Sequence, residues 1–240
     1  MSAGSPSLQL PDYWWYVARE RLLGEFFAPF AGRTGLMLDV GSADGPSVSW
    51  VDGGVRRFAV DIDPRGIAPG SGVLADIAEL PFRADAFDVV GAFDVIEHCD
   101  EEDAVLTELR RVLRPGGRLL VSVPAYTWAW TDHDVHNDHR RRYTRGRLCD
   151  GLETAGYEVL RSSYAFASIF PIFAANRLAM RLAERVRPRT AGVQDVVTVP
   201  RLPPAAERTL VGLSRADGWL LRRTDVPFGS SVFAAALKRA

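Results

Sequence analysis

The chain has 240 residues, of which 47% are hydrophobic and 25% charged, a composition typical of a globular domain with a substantial core. Its formal net charge of −1 supplies no field that would attract a polyanion, so no nucleic-acid partner is predicted. Two cysteines cannot form a disulfide framework or a metal cluster, and without a recognisable signal peptide they favour a reducing cytoplasm. The longest apolar stretch, Ser162 to Ala175, contains Pro171 and is too short for a stable membrane span.

An aromatic-rich helix is predicted near the start of the chain. Residues Tyr13 to Leu23 have apolar side chains at helical spacing, and Trp14 and Trp15 add more aromatic surface than an exposed helix needs. Two interpretations are open. The helix either packs on a sheet or forms a lid over a ligand, in which case Arg19 is placed to clamp a carboxylate.

A buried strand and a loop of small residues follow. The strand, Leu36 to Val40, leads into Gly41 to Gly45, where glycine permits a ligand to approach the backbone closely. A second strand, Arg57 to Asp63, is closed by carboxylates about 20 residues after the loop, as expected for an acid that binds a ribose. The two strands therefore predict a nucleoside-binding βαβ unit, with Asp61 as the ribose ligand.

The next two strands also end in polar residues. In the short third strand, Gly72 to Ile77, Asp76 would accept a hydrogen bond from an adenine amino group, and Ile77 would lie against the ring. The fourth strand, Phe87 to Phe93, is followed by Asp94 to His98 at its carboxyl end. Ligands of open α/β sheets bind at that edge.

Helical and extended patterns then alternate. Glu101 to Leu113 has a helical apolar stripe, Pro115-Gly116-Gly117 ends it, and Arg118 to Val123 is the predicted fifth strand. This rhythm predicts a parallel, doubly wound sheet. A nicotinamide dehydrogenase is disfavoured, because the loop Gly41-x-Ala43-x-Gly45 lacks a further glycine two residues later, where Ser47 stands.

Three of the four histidines follow an aromatic strip, Tyr126-x-Trp128-x-Trp130, after the fifth strand. A histidine there can take a proton from an oxygen or nitrogen nucleophile, with an adjacent acid fixing its tautomer. We take His133 and His139 as candidate bases; the alternative is that they only hold the loop by hydrogen bonds. No metal is predicted, because His133, His136 and His139 are three residues apart and on a helix would point away from one ion.

Two further segments keep two interpretations each. The arginines between Arg140 and Arg147 form either a solvated face or a fork for an anionic acceptor. The apolar residues of Ser162 to Met180 belong to the core or to a lid, or they pack a twofold partner or admit a lipid-like substrate.

Six motifs in chain order resemble the class I S-adenosylmethionine-dependent methyltransferases. They are Leu38-Asp39-Val40-Gly41-x-Ala43-x-Gly45, Val60-Asp61-Ile62-Asp63, Asp76 followed by Leu80-Pro81-Phe82, Phe87-Asp88-Val89-Val90, Asp94-Val95-Ile96-Glu97-His98, and Glu108-x-x-Arg111-Val112-Leu113-Arg114-Pro115-Gly116-Gly117. A bacterial subgroup is more similar still, through Trp14-Trp15 with Arg19, His133-Asp134 with His139-x-Arg141-Arg142-Tyr143, and Pro227-Phe228-Gly229-x-Ser231.

The resemblance implies an α/β fold with a Rossmann-like, doubly wound seven-stranded sheet whose last strand is antiparallel. Tyr157 to Ser163 and Ser231 to Leu237 would be the sixth and seventh strands. A single domain over residues 1–240 is implied, with an N-terminal lid helix at 12–30. Acceptor-side segments are implied at 124–150 and 164–229, the second of which holds an insertion before the last strand and a link from Arg187 to Pro204.

The same resemblance implies S-adenosyl-L-methionine as cofactor and S-adenosyl-L-homocysteine as product. The reaction would transfer a methyl group to an oxygen, nitrogen or carbon atom of a small-molecule acceptor, with an anionic acceptor and a homodimer as options. Two alternatives remain, chemistry other than methyl transfer in the same pocket and a non-catalytic cofactor-binding protein.

The implied cofactor-binding residues are Arg19, Asp39, Gly41, Ser42, Ala43, Gly45, Asp61, Ile62, Asp76, Ile77 and Asp94, and the candidate catalytic residues are His133, His139 and Tyr143. Ala43 departs from the usual Gly-Cys-Gly-x-Gly loop and permits close approach if its φ is negative. Asp44 would either cap a helix that starts near Pro46 or accept a hydrogen bond from the cofactor's ammonium group.

Overall fold

The computed structural model describes residues 13–41, 46–64, 67, 72–186 and 202–239. Within these residues, seven strands form one sheet in the order β3-β2-β1-β4-β5-β7-β6. The strands are β1 (Gly35–Val40), β2 (Val55–Asp61), β3 (Gly72–Leu74), β4 (Phe87–Phe93), β5 (Leu113–Pro124), β6 (Tyr157–Ala165) and β7 (Ser231–Lys238).

The strand directions confirm the predicted sheet. Strands β1 to β5 pair in parallel, whereas β7 runs antiparallel to both β5 and β6. The carboxyl ends of β1, β2 and β4 therefore meet at one edge, which is the edge where ligands of such sheets bind.

Strand β3 is shorter than the predicted Gly72 to Ile77. It pairs only with β2 and ends at Leu74. The chain turns two residues later, where the backbone N–H of Ala78 donates to Oδ1 of Asp76 at 2.9 Å. This local turn satisfies a backbone group that a longer strand at the sheet edge would leave unpaired.

The helices are α1 (Trp14–Ala31), α2 (Glu102–Val112), α3 (Asp132–His136), α4 (Arg145–Thr154), α5 (Phe170–Val186) and α6 (Pro204–Leu221). Helix α1 packs on the sheet, as the first interpretation expected: Leu22, Leu23, Phe26 and Phe27 are fully buried. The ring of Phe27 lies 5.4 Å from those of Phe93 in β4 and Phe233 in β7. The helix is thus one layer of the fold, and only its first turns reach the ligand-binding edge.

The helix predicted to start near Pro46 is wrong: a single 3₁₀ turn, Pro46–Val48, stands there. Trp50 explains the difference, since its ring packs 6.4 Å from that of Phe27 in α1. A Cβ on Gly24 of α1 would lie 2.9 Å from the Trp50 Cβ. Helix α1 therefore occupies the face of the sheet that a longer helix at this point would have covered.

The opposite face of the sheet carries α2 and α4. The predicted stripe of α2 is confirmed, because Val105, Leu106, Leu109 and Val112 are buried while Asp103 in the first turn is exposed. The stripe packs on the core residues of β1, β4 and β5. This burial fixes the position of the segment that follows β4 and leads into α2.

Helices α5 and α6 form the insertion before β7. Helix α6 packs against α1, with Arg222 2.6 Å from Glu25. Helix α5 exposes Ile172, Leu178 and Leu182. Residues 187–201 of the predicted link lie outside the described residues. Among the described helices, none combines the length and the apolarity that crossing a bilayer would require.

Candidate active site

The loop after β1 begins at a position that only glycine fills easily. Gly41 has φ +66°, and a Cβ there would lie 2.4 Å from Cγ2 of Val95. Its backbone N–H donates to the carbonyl of Val60 at 2.8 Å, which holds the start of the loop against β2. The predicted cofactor residues Ser42, Ala43 and Gly45, and the neighbouring Asp44, lie outside the described residues.

Two of the predicted acids lie at the ends of adjacent strands. Asp61 ends β2, is only 7% exposed, and accepts the backbone N–H of Asp63 at 2.9 Å. The backbone N–H of Ala75 donates to the Asp61 carbonyl at 3.1 Å, so Asp76 follows directly beside it. The structure thus brings the predicted ribose and adenine ligands to one edge.

The other predicted residues of this edge differ in exposure. Asp39 is buried within β1 at 3% exposure. Ile62 is 78% exposed just past β2, and Ile77 is half-buried against the core. Ile62 and Ile77 therefore offer apolar surface next to Asp61 and Asp76, which precede them in the chain.

Arg19 and Asp94, both predicted to bind the cofactor, contact each other. The Nε atom of Arg19 lies 2.6 Å from Oδ2 of Asp94, its Nη1 donates to Oγ of Ser47 at 2.6 Å, and its Nη2 donates to the carbonyl of Phe93 at 3.0 Å. Asp94 has φ +58°, a conformation that Asp adopts more readily than most residues. Three bonds from one guanidinium join α1 to the end of β4 and to the 3₁₀ turn.

His139 is oriented by a buried carboxylate, as the sequence suggested. Its Nδ1 lies 2.8 Å from Oδ1 of Asp134, which also accepts from Nε of Arg142 at 2.7 Å. Burial would raise the pKa of the Asp134 carboxyl, but the hydrogen bonds from His139 and Arg142 outweigh it and hold this pKa well below its usual range. An ionised Asp134 keeps a proton on Nδ1 of His139 and leaves Nε2 available.

The other two histidines of this segment lie on α3. His136 is exposed, and its Nδ1 lies 2.6 Å from the carbonyl of Asp132. The backbone of His133 is part of α3, whereas its side chain lies outside the described part of the structure. The candidate base His133 is therefore still a sequence-based prediction.

Tyr143 is fully buried, which argues against its predicted catalytic role. Its backbone N–H donates to the carbonyl of Pro124. The guanidinium of Arg147 lies over its ring, 4.8 Å from the ring centroid. Burial raises the pKa of its phenol, so the hydroxyl stays protonated. The side chain belongs to the core beneath α4, and we assign it to the fold.

Most arginines of the segment from Arg140 to Arg147 pair with acids of the chain. Arg141 and Arg147 share Glu102 at 3.1 and 3.0 Å, and Arg142 is buried against Asp134. The two bonds to Glu102 tie the segment to the first turn of α2. These three arginines are therefore engaged within the chain, which argues against them as the predicted fork for an anionic acceptor.

Sequence reasoning missed one grouping. His98, from the 3₁₀ turn Ile96–His98 after β4, has its ring 4.7 Å from that of His139, and the carboxylate of Glu97 lies beside both. Burial, and then the nearby Asp94, raise the pKa of Glu97 well above its usual value. Burial, and then His139, lower the pKa of His98. The sequence signal that could have indicated this grouping is the Glu97-His98 pair just after β4.

The aromatic strip after β5 packs against β6 and the insertion. Tyr126 has φ +61° and stacks on Tyr164 at 5.2 Å and on Trp128 at 5.6 Å. Phe170 of α5 lies 5.4 Å from Tyr126. Burial, and then Tyr164, raise the pKa of Tyr126 to about 12. The insertion and the segment after β5 therefore share one apolar wall.

Comparison with known proteins points to one family. A family model described as a methyltransferase domain matches residues 38–121. A protein of Mycolicibacterium smegmatis named "Probable S-adenosylmethionine-dependent methyltransferase" is 32% identical over 64% of this chain and 63% of its own length. Over these residues the chain is similar to S-adenosylmethionine-dependent methyltransferases.

Further comparisons show how much of each protein the similarity covers. A Mycobacterium tuberculosis protein with the same description is 30% identical over 63% of this chain and 58% of its own length. The chain thus spans less than two thirds of these curated relatives. The solved structure of Burkholderia thailandensis 1,6-didemethyltoxoflavin-N1-methyltransferase, which contains S-adenosylhomocysteine, has a TM-score of 0.57 at 19% identity and covers 98% of this chain and 84% of that one. At that identity it shows a shared fold.

Proposed function

We propose that the chain binds S-adenosylmethionine at the carboxyl edge of β1, β2 and β4 and transfers its methyl group to a small molecule. The observation that carries this proposal is the juxtaposition of Gly41, Asp61 and Asp76 at one edge. When bound, the cofactor supplies a methyl group already activated by a sulfonium. The chain itself then has to bind, orient and exclude water.

The residues at this edge fit an adenosine. The Asp61 carboxylate at the end of β2 is an acceptor for ribose hydroxyls, and Asp76 is an acceptor for the adenine amino group. Gly41 lets the backbone after β1 come close to the ligand because it carries no Cβ. Arg19 would neutralise the carboxylate of the methionine part, while its bond to Asp94 keeps α1 over the edge.

The acceptor would enter beside the histidine segment, residues His133 to His139. His133 and His139 are the proposed bases that take the proton from the attacking oxygen, nitrogen or carbon atom. The Asp134 contact supports His139 in this role, since it fixes the Nδ1–H tautomer. Tyr126, Trp128 and Phe170 would provide the apolar wall against which the acceptor lies.

Calorimetry with S-adenosylhomocysteine tests the cofactor assignment. In Asp61→Ala, loss of charge-assisted hydrogen bonds should weaken binding by about 1–3 kcal/mol. Asp150→Ala, on the exposed face of α4, is the matched control and should bind as the wild type does. An unchanged dissociation constant in Asp61→Ala would remove Asp61 from the site.

Product analysis tests the reaction. Methyl transfer requires that S-adenosylhomocysteine and a methylated product form in equal amounts. Cofactor that is bound without being consumed, while the acceptor is changed, would support the alternative chemistry in the same pocket. Binding without any change in acceptor or cofactor would support a non-catalytic protein.

A further inference from the structure

Two segments that are distant in sequence are locked together beside the proposed acceptor site. The backbone N–H of Arg140 donates to the carbonyl of Glu97 at 2.7 Å, and that of His139 donates to the carbonyl of Asp134 at 2.9 Å. These bonds hold the 3₁₀ turn after β4 against the histidine segment. The positions of Glu97, His98 and His139 relative to one another are therefore set by the backbone.

The side chains of these three residues converge. One carboxylate oxygen of Glu97 and one ring nitrogen each of His98 and His139 all lie within 4.8 Å of one another. Two imidazoles and a carboxylate are a common donor set for divalent transition metals, and magnesium prefers oxygen ligands instead. The convergence alone defines the three ligand atoms and the approximate distance between them.

Glu97 supplies an independent observation. It is completely buried, and among the described residues neither of its carboxylate oxygens has a hydrogen-bond partner from another residue. A buried polar group without a partner is costly, and native proteins rarely leave one unexplained. A cation between Glu97 and the two histidines would give the carboxylate the partner that it lacks.

Both histidines also have a hydrogen-bond partner outside the cluster. Nδ1 of His139 lies 2.8 Å from Oδ1 of Asp134, and His98 hydrogen-bonds to the backbone of Asn137. Histidines that bind metals almost always donate their second N–H to a carboxylate or a carbonyl, which fixes the ring. Asp134 and Asn137 provide that arrangement for His139 and His98.

We propose that Glu97, His98 and His139 bind one divalent transition-metal ion of the zinc type. Three protein ligands leave a coordination position that a water molecule would take. With the ion bound, Nε2 of His139 is a ligand and no longer a base, so proton transfer is left to His133. That last step rests on the proposed function, whereas the ion site itself does not.

Cobalt(II) is the probe, because its visible absorption reports ligand type and geometry. The 240-residue chain, treated with a chelator and then freed of the chelator, should bind one equivalent of cobalt, with an absorption intensity typical of four or five ligands. Glu97→Gln, His98→Ala and His139→Ala should each weaken binding about tenfold or more. Glu97→Gln is the sharpest variant, since a glutamine has nearly the shape of the protonated acid and should fold.

His136→Ala is the matched control, because His136 is an exposed histidine of the same segment outside the cluster. It should bind cobalt as the wild type does. The proposal is overturned if the wild type binds no stoichiometric ion at about 1 mM cobalt, if Glu97→Gln binds equally well, or if His136→Ala is the variant that loses the ion. Calorimetry with S-adenosylhomocysteine on the same metal-free samples separates the two proposals, since its failure would contradict the cofactor site alone.

Discussion

The guanidinium of Arg19 contacts Asp94 through its Nε atom at 2.6 Å and so ties the second turn of α1 to the carboxyl end of β4. The Arg19 side chain is only 12% exposed, and it also bonds Ser47 and the carbonyl of Phe93. One residue thus joins three elements around the proposed cofactor site. The interpretation of α1 as a packing helix is confirmed by its buried side chains. The interpretation of its first turns as a lid over a ligand stays a prediction.

Replacing Arg19 by lysine should weaken the cofactor site. One ammonium cannot keep three bonds in the fixed directions of a guanidinium. We expect the dissociation constant of S-adenosylhomocysteine to rise about tenfold, a change of about 1.4 kcal/mol, measured by calorimetry. Arg21→Lys, on the exposed side of the same helix, should leave it unchanged. A lower melting temperature with unaltered affinity would assign Arg19 to the fold alone.

Gly41→Ala should damage both stability and binding. The residue has φ +66°, and the new Cβ would collide with Val95. The unfavourable backbone conformation alone costs about 1 kcal/mol, and the collision adds to it. Urea unfolding should show a loss of about 1–3 kcal/mol, with weaker S-adenosylhomocysteine binding in calorimetry.

Gly146→Ala is the matched control for this glycine. It lies in the first turn of α4, has no positive φ, and its Cβ would meet no atom within 4 Å. The substitution should be neutral or slightly stabilising, because alanine favours helices more than glycine does. Equal effects of the two substitutions would mean that the backbone at Gly41 tolerates a side chain.

Glu108→Gln should change how stability depends on pH. Hydrogen bonds from Arg111, above all, lower the pKa of Glu108, whose oxygens lie 2.7 Å from Nε and Nη2 of that arginine. A lowered pKa contributes stability above the unfolded value of about 4.3 and loses it as pH falls through the folded value.

Urea unfolding at several pH values measures this contribution. At pH about 7 the wild type should exceed Glu108→Gln by about 1–2 kcal/mol, and the difference should shrink as pH falls below about 4. Glu153→Gln, exposed on α4, should show no such difference. If the difference in unfolding free energy between the wild type and Glu108→Gln stays constant down to low pH, the charge of the carboxylate does not contribute to stability.

The parallel strands and the stripe of α2 could be predicted because each depends on local periodicity, whereas the antiparallel last strand was implied by the family resemblance. The fourth strand was predicted with the bounds that the structure gives, Phe87–Phe93. The 3₁₀ turn at Pro46–Val48 could not be predicted, because it depends on Trp50 packing against α1, a contact between distant segments. Periodicity within one segment carries no information about such a neighbour.

The candidate site divides in the same way. The predicted ligands at strand ends, such as Asp61 and Asp76, lie together because parallel strands end at one edge. The arginine segment was predicted as one positive face or fork, yet some of its arginines pair with an acid of a distant segment, as Arg141 does with Glu102. The grouping of His98 with His139 has the same origin, so neither could be found from spacing.

Alanine at the two candidate bases should separate proton transfer from metal binding. Both His133→Ala and His139→Ala are expected to lower kcat for methyl transfer by about 100-fold or more, the usual contribution of a general base or of a metal ion. S-adenosylhomocysteine affinity should stay within about twofold, since neither residue lies with the proposed cofactor ligands. Only His139→Ala should also lose the cobalt spectrum, because His133 is outside the proposed ion site. If both variants keep full activity, the histidines only hold the segment in place; if His133→Ala loses the ion as well, the division of roles between them is wrong.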